Sequence, residues 1–127
     1  MKRIVLTTFI ILVSFTSVNA STNKSEIYES YKADLKGPST FCKMIRSGNY
    51  ESVKAFIKNG TNINRKSLGL TPIMYAARYN QVKILKLLIK EGAKLNTKSS
   101  NGYTALEYAK MSKADEAHAI LKQALEK

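Results

Sequence analysis

Cysteine, histidine and acidic residues are scarce in this 127-residue chain: one Cys, one His, no Trp, and nine Asp or Glu against 21 Lys or Arg. A single cysteine excludes an internal disulfide framework and any zinc cluster of the Cys-rich kind. His118 has no Cys or second His at i+3 or i+4, so a metal site lacks ligands, and nucleophilic catalysis has few groups to use. The acids Glu51, Glu91, Glu107 and the pair Asp115-Glu116 do not place two carboxylates on one rigid face beside an apolar pocket, as hydrolysis requires. Gly60, Gly69, Gly92 and Gly102 sit singly at turn positions, so no phosphate-cradling loop is present. An enzyme would have to rely on His118 or Glu107 alone. The expectation is a non-enzymatic module with no cofactor and no metal.

No apolar run reaches the roughly 20 residues of a membrane-spanning helix. The longest, Ile4–Val18, has 15 residues, five of them Ser or Thr. It follows Met1-Lys2-Arg3 and leads to small residues ending at Ala20, the three-part layout of a secretory signal peptide cut after Ala20. The expected mature chain, Ser21–Lys127, is periplasmic or secreted and has no stable membrane insertion. Loss of Lys2 and Arg3 leaves it 19 basic and 9 acidic groups, a net +10. In an oxidising compartment the unpaired Cys42 should be buried, or it would pair with another chain.

At 127 residues the chain holds one domain, and 44% hydrophobic with 24% charged residues is a globular composition. That domain repeats itself. Gly69-Leu70-Thr71-Pro72-Ile73-Met74-Tyr75-Ala76 lies over Gly102-Tyr103-Thr104-Ala105-Leu106-Glu107-Tyr108-Ala109 at a spacing of 33. Ser52–Ser67 lies over Ile84–Ser99 at a spacing of 32, matching at Lys, Ile-Lys, Gly, Asn and Lys-Ser. A period in this range decides the architecture before local propensity does.

The middle unit, Leu68–Asn96, carries Gly-x-Thr-Pro-Ile-x-x-Ala-Ala, an apolar helical run and a closing Gly-Ala-x-Leu-Asn. In this it resembles the ankyrin repeat. The resemblance covers Pro38–Lys127 and implies an all-α solenoid of helix-turn-helix units joined by short β-turn loops. Repeats are expected at about 38–67, 68–100 and 101–127. Departures fall at the ends: Ser39-Thr40-Phe41-Cys42 replaces the Thr-Pro start, and Ala105 and Lys110 replace Pro72 and Ala77. Atypical terminal repeats are expected where an outer face meets water. The family's usual His is Met74, which removes a buried hydrogen-bond bridge.

The residues support the same architecture independently. Thr71 before Pro72 reads as an N-cap, opening a helix over about Pro72–Tyr79. Val82, Leu85 and Ile89, with Leu88 beside them, make the stripe of a second helix, Val82–Lys90, ended by Gly92. Gly60 does the same for Asn49–Asn59. Thr104 and Ser112 are expected to open the last pair, with Ile120, Leu121 and Leu125 as its buried stripe. Residues 21–37 carry Ile27, Tyr28, Tyr31 and Leu35 at helical spacing after Ser25 and before Gly37-Pro38, which predicts an N-terminal capping helix.

Lys54, Lys58, Lys83, Lys86, Lys90 and Lys122 recur on the polar faces of second helices. That spacing reads as a solvated face rather than a nucleic-acid footprint, which would cluster with aromatics along one groove. Cys42 stands at the position equivalent to Met74 and reads as a small core residue. The resemblance implies binding on the loop tips and first helices, which by position are Leu68, Leu70, Asn101 and Tyr103 on tips, and Tyr75, Arg78, Tyr79 and Met111 on helices. Tyr75 and Tyr108 can equally pack between adjacent helices. The expected function is an exported, monomeric protein-binding module, its charge favouring an acidic partner and its role of an inhibitor or immunity type. The alternative is a basic envelope protein holding anionic surfaces.

Overall fold

A computed structural model describes residues 37–127. The expected signal peptide, and the expected capping helix over 21–37 up to its last residue, lie outside the described residues. Pro38–Lys127 forms one unit containing six helices and, among the described residues, no strand beyond an isolated bridge between Ser67 and Leu70. The helices are α1 (Thr40–Ser47), α2 (Tyr50–Lys58), α3 (Pro72–Arg78), α4 (Val82–Lys90), α5 (Ala105–Met111) and α6 (Asp115–Leu125).

Local chemistry explains most boundaries. Ser39 Oγ accepts from Cys42 N at 3.3 Å to open α1, and Asn49 Oδ1 accepts from Ser52 N at 3.1 Å to open α2. Each bond satisfies one of the amides that a helix start leaves unpaired. At α5 the cap is reciprocal: Thr104 Oγ1 accepts from Glu107 N at 3.4 Å, and Glu107 Oε2 accepts from Thr104 N at 2.7 Å. The equivalent start of α3 departs from expectation. Thr71 N donates to Met74 Sδ at 3.3 Å. The Thr71 hydroxyl is turned toward the Met74 amide, as in a capping box, yet it is buried and outside hydrogen-bonding geometry. Met74 offers only a weak thioether acceptor where Glu107 offers a carboxylate.

Alternate helices form two layers. α3 packs on α1, α5 and α4, and α4 packs on α2 and α6. Because α3 is enclosed by neighbours, Pro72 through Ala77 are all buried. Ala76, Ala77, Ala105 and Ala109 are fully buried, and their small side chains let the first-layer helices approach closely. On α4 the fully buried residues are Ile84, Leu85 and Leu88, while Val82 and Ile89 are half-buried. The expected stripe is thus rotated, because α2 and α6 flank α4 and α3 lies beneath it. On α6, Ala117 and Leu121 are buried, with Ile120 and Leu125 at the margin. Burying each large aliphatic side chain contributes about 1.5–3 kcal/mol, and only stacked neighbours supply the cover.

Polar side chains tie one repeat to the next. Asn64 Oδ1 accepts from Lys94 N at 2.9 Å, and Gln81 Nε2 donates to the Arg46 carbonyl at 3.0 Å. Asn80 Oδ1 accepts from Ala117 N at 3.2 Å. This last bond corrects the expected opening of α6. Ser112 closes α5, and the N-cap of α6 is Ala114, which has no side-chain acceptor. Asn80, from the preceding repeat, supplies one.

Candidate functional site: the loop tips and first-helix ends

Two tight turns, Ser67–Leu70 and Ser99–Tyr103, stand at the N-terminal ends of α3 and α5. The first is closed by Ser67 N to Leu70 O at 2.8 Å and Leu70 N to Ser67 O at 3.2 Å. The second is closed by Ser99 N to Tyr103 O at 2.8 Å. Ser100 N donates to Gly69 O at 3.0 Å, joining neighbouring tips. Gly69 has φ +81°, and a Cβ there would lie 2.7 Å from Ser100 Oγ, so glycine permits both the turn and the close approach.

Tyr75 and Tyr108 brace these tips from inside. Tyr75 is 6% exposed and donates its hydroxyl to the Ser67 carbonyl at 2.7 Å. Tyr108 is likewise buried and bonds Ser99 Oγ at 2.9 Å. Burial raises the Tyr75 phenol above its ordinary value, and the nearby Cys42 adds to the effect. Tyr75 therefore leaves the set of expected contact residues, because its ring is packed and its hydroxyl committed. Leu70 is half-buried and packed against the core, which leaves it a smaller surface than a tip residue should offer.

The other expected residues are accessible. Leu68 is 61% exposed, Met111 52%, Tyr103 43% and Tyr79 37%; Arg78 and Asn101 are also exposed. Tyr103 sits edge-on to Tyr108, with centroids 5.9 Å apart. Tyr79 is flanked by two guanidinium groups, Arg46 at 5.3 Å and Arg78 at 5.9 Å from its centroid. Arg46 is the residue that sequence reasoning missed. The equivalence of Cys42 and Met74 also aligns Arg46 with Arg78, so the register held the signal. Tips and helix ends lie about 10 Å apart along these seven-residue helices.

Cys42 is buried in the core, and burial pushes its thiol above the ordinary range, partly offset by hydrogen bonds with Ser39 and Ser67. Among the described residues, no group of three or more His, Cys, Asp or Glu is placed to hold a metal ion, and no helix is long and apolar enough to cross a membrane.

Known proteins carry the same units. Over 68 residues the chain is 38% identical to M-phase phosphoprotein 8 of Homo sapiens, covering 51% of this chain and 8% of that protein. It is 40% identical over 70 residues to an ankyrin repeat protein of Rickettsia bellii, covering 50% of this chain and 42% of that one. An ankyrin repeat protein of Acanthamoeba polyphaga mimivirus is 31% identical over 93 residues, covering 65% of this chain and 22% of that protein. The chain thus spans less than half the length of each of these relatives. The family described as "Ankyrin repeats (3 copies)" matches residues 41–126, and with three helix pairs stacked in that span the chain belongs to the ankyrin-repeat family.

Proposed function

We propose that this chain is an exported binding module that grips another protein with its loop tips and the C-terminal ends of its first-layer helices. One observation carries the reading. All four large apolar side chains that stand exposed among the described residues, Leu68, Tyr79, Tyr103 and Met111, lie on tips or at the ends of α3 and α5, and none lies on α2, α4 or α6. Exposed apolar residues grouped on one part of a surface mark interaction sites. Tyr and Arg dominate the few residues that carry most binding energy, and Tyr79 is already held by Arg46 and Arg78. A rigid scaffold loses little entropy when these anchors engage.

The signal-like start, ending at Ala20, supports export, and with it a periplasmic or extracellular partner. An inhibitor or immunity-type role fits a small module whose exposed Leu68, Tyr79, Tyr103 and Met111 offer anchors to a partner. The net positive charge speeds encounter with an acidic partner.

Affinity capture from an envelope extract of the source organism, at low and at high salt, tests this, with a variant carrying Ala at 68, 79, 103 and 111 run beside the native chain. One stoichiometric protein retained in high salt and lost with the variant is the expected result. A salt-labile mixture that the variant retains equally overturns the proposal. Terminal sequencing of the chain recovered from the envelope is expected to begin at Ser21.

A further inference from the structure

The opposite side of the solenoid carries a second feature, independent of the tips. Between α2 and α4 runs a groove of about 680 Å³, within the range of sites that hold compact ligands or a few side chains. Its walls are Lys54, Lys58, Lys83, Lys86 and Lys90, with Glu91 the one acid, at the C-terminal end of α4. Its apolar lining is Tyr50, Ile57 and Leu87, all half-buried.

The lysine arrangement differs from that of a general solvated face. Lys54 and Lys86 are register equivalents 32 residues apart, as are Lys58 and Lys90, so like charges line both sides of one groove. No carboxylate among the described residues pairs with any of the five. Such repulsion opposes compaction. The pattern also stops: one repeat on, the positions of Lys83, Lys86 and Lys90 are Glu116, Ala119 and Gln123.

We infer that this groove binds a short acidic segment of another protein, one that places an apolar side chain between carboxylates. The carboxylates would meet the lysine walls while the apolar group reaches Tyr50, Ile57 and Leu87. A flat bilayer would touch the lysine heads without entering the groove. A nucleic-acid strand would find charge but a single half-buried aromatic ring, Tyr50, on which to stack its bases.

The test titrates the full chain with an acetylated, amidated peptide Asp-Glu-Phe-Leu-Glu-Asp and reads amide shifts by NMR. The relative with Gly-Gly in place of Phe-Leu is titrated in parallel. The first peptide is expected to move the Tyr50, Ile57 and Leu87 signals and to bind at least fivefold tighter than the second. Lys54→Gln with Lys86→Gln is expected to weaken it at least tenfold, and Lys110→Gln with Lys122→Gln, the same charge change at exposed sites outside the groove, less than twofold. All four positions are exposed, so both variants should fold. Equal binding of the two peptides, or equal loss from the two double variants, overturns the inference. Anionic phosphatidylglycerol vesicles are the third arm. If they shift the same signals and the peptide does not displace them, the groove is a lipid site and the inference also falls.

Discussion

Arg46 in the first repeat places its guanidinium carbon 5.3 Å from the ring centroid of Tyr79 in the second. Arg78, one residue before Tyr79, stands at 5.9 Å from the same ring. Two cations on one exposed ring hold it in place and mark it as the anchor of the proposed interface. A double-mutant cycle of Arg46→Ala and Tyr79→Phe or Tyr79→Ala, read by urea denaturation, is expected to give a coupling of about 0.5–1 kcal/mol for the Ala pair. Tyr79→Phe keeps the ring face and with it the contact, so its cycle is expected to give a coupling near zero. A coupling near zero in the Ala arm as well would leave Tyr79 as an unsupported ring.

Asn80 gives a second prediction. It holds φ +51° and caps α6 from the neighbouring repeat through Ala117 N. Asn80→Gly relieves the backbone but removes the acceptor, and is expected to cost about 1 kcal/mol. Asn80→Asp keeps the acceptor and should cost less. The loss should show first as faster hydrogen exchange in α6, whose own N-cap is Ala114.

Much of this fold is legible in the sequence because its signals are local. Pro72 after Thr71, the Thr104–Glu107 pair and the glycines after α2 and α4 act within a few residues of where they stand. The exposed places of Leu68, Tyr79, Tyr103 and Met111 are legible too, since tip and helix-end positions follow from the repeat register. Other features depend on the stack. Asn80 reaches 37 residues forward and Gln81 35 back, and neither spacing has meaning until the helices are docked. Tyr75 reads as an anchor or a packing residue until its hydroxyl is seen on the Ser67 carbonyl. The lysine faces read as solvated because periodicity within one helix does not reveal an apolar lining shared by two.

The two Thr caps should respond oppositely to the same change. Thr71 has a buried hydroxyl without a partner, whereas Thr104 caps Glu107 N. Thr104→Val is expected to lose about 1 kcal/mol. Thr71→Val exchanges an unsatisfied buried hydroxyl for a methyl of similar shape, and is expected to be neutral or to gain about 1 kcal/mol. Met74→His, which returns a stronger acceptor beside Thr71, should also stabilise. Equal losses at 71 and 104 in denaturant titrations would show that the Thr71 hydroxyl is bonded after all.

Cys42 predicts a pH dependence. Burial raises its thiol pKa in the folded state, so the unfolded chain ionises first, near the ordinary thiol value of about 8.5. The contribution to stability is therefore complete below that value and is lost as pH rises through the folded pKa. Cys42→Ala should flatten the decline in stability above about pH 8.5. A disulfide reagent such as dithionitrobenzoate should react slowly with the native thiol and quickly in denaturant.

Gly69 joins stability to the proposed function. Its φ of +81° disfavours any Cβ by about 1–2 kcal/mol, and an added Cβ would also lie 2.9 Å from Ser100 Cβ. Gly60, at φ +90°, has nothing within 4 Å of such a Cβ. Gly60→Ala therefore isolates the backbone term, and Gly69→Ala should cost more by the steric clash. The further effect is local. Pushing Ser100 away strains its 3.0 Å bond to the Gly69 carbonyl and displaces the turns that present Leu68 and Tyr103. Gly69→Ala is thus expected to weaken partner capture at temperatures where the fold stays intact by circular dichroism, while Gly60→Ala leaves capture unchanged. Equal capture by both variants would remove the loop tips from the interface and leave the anchor role to Arg46, Arg78, Tyr79 and Met111.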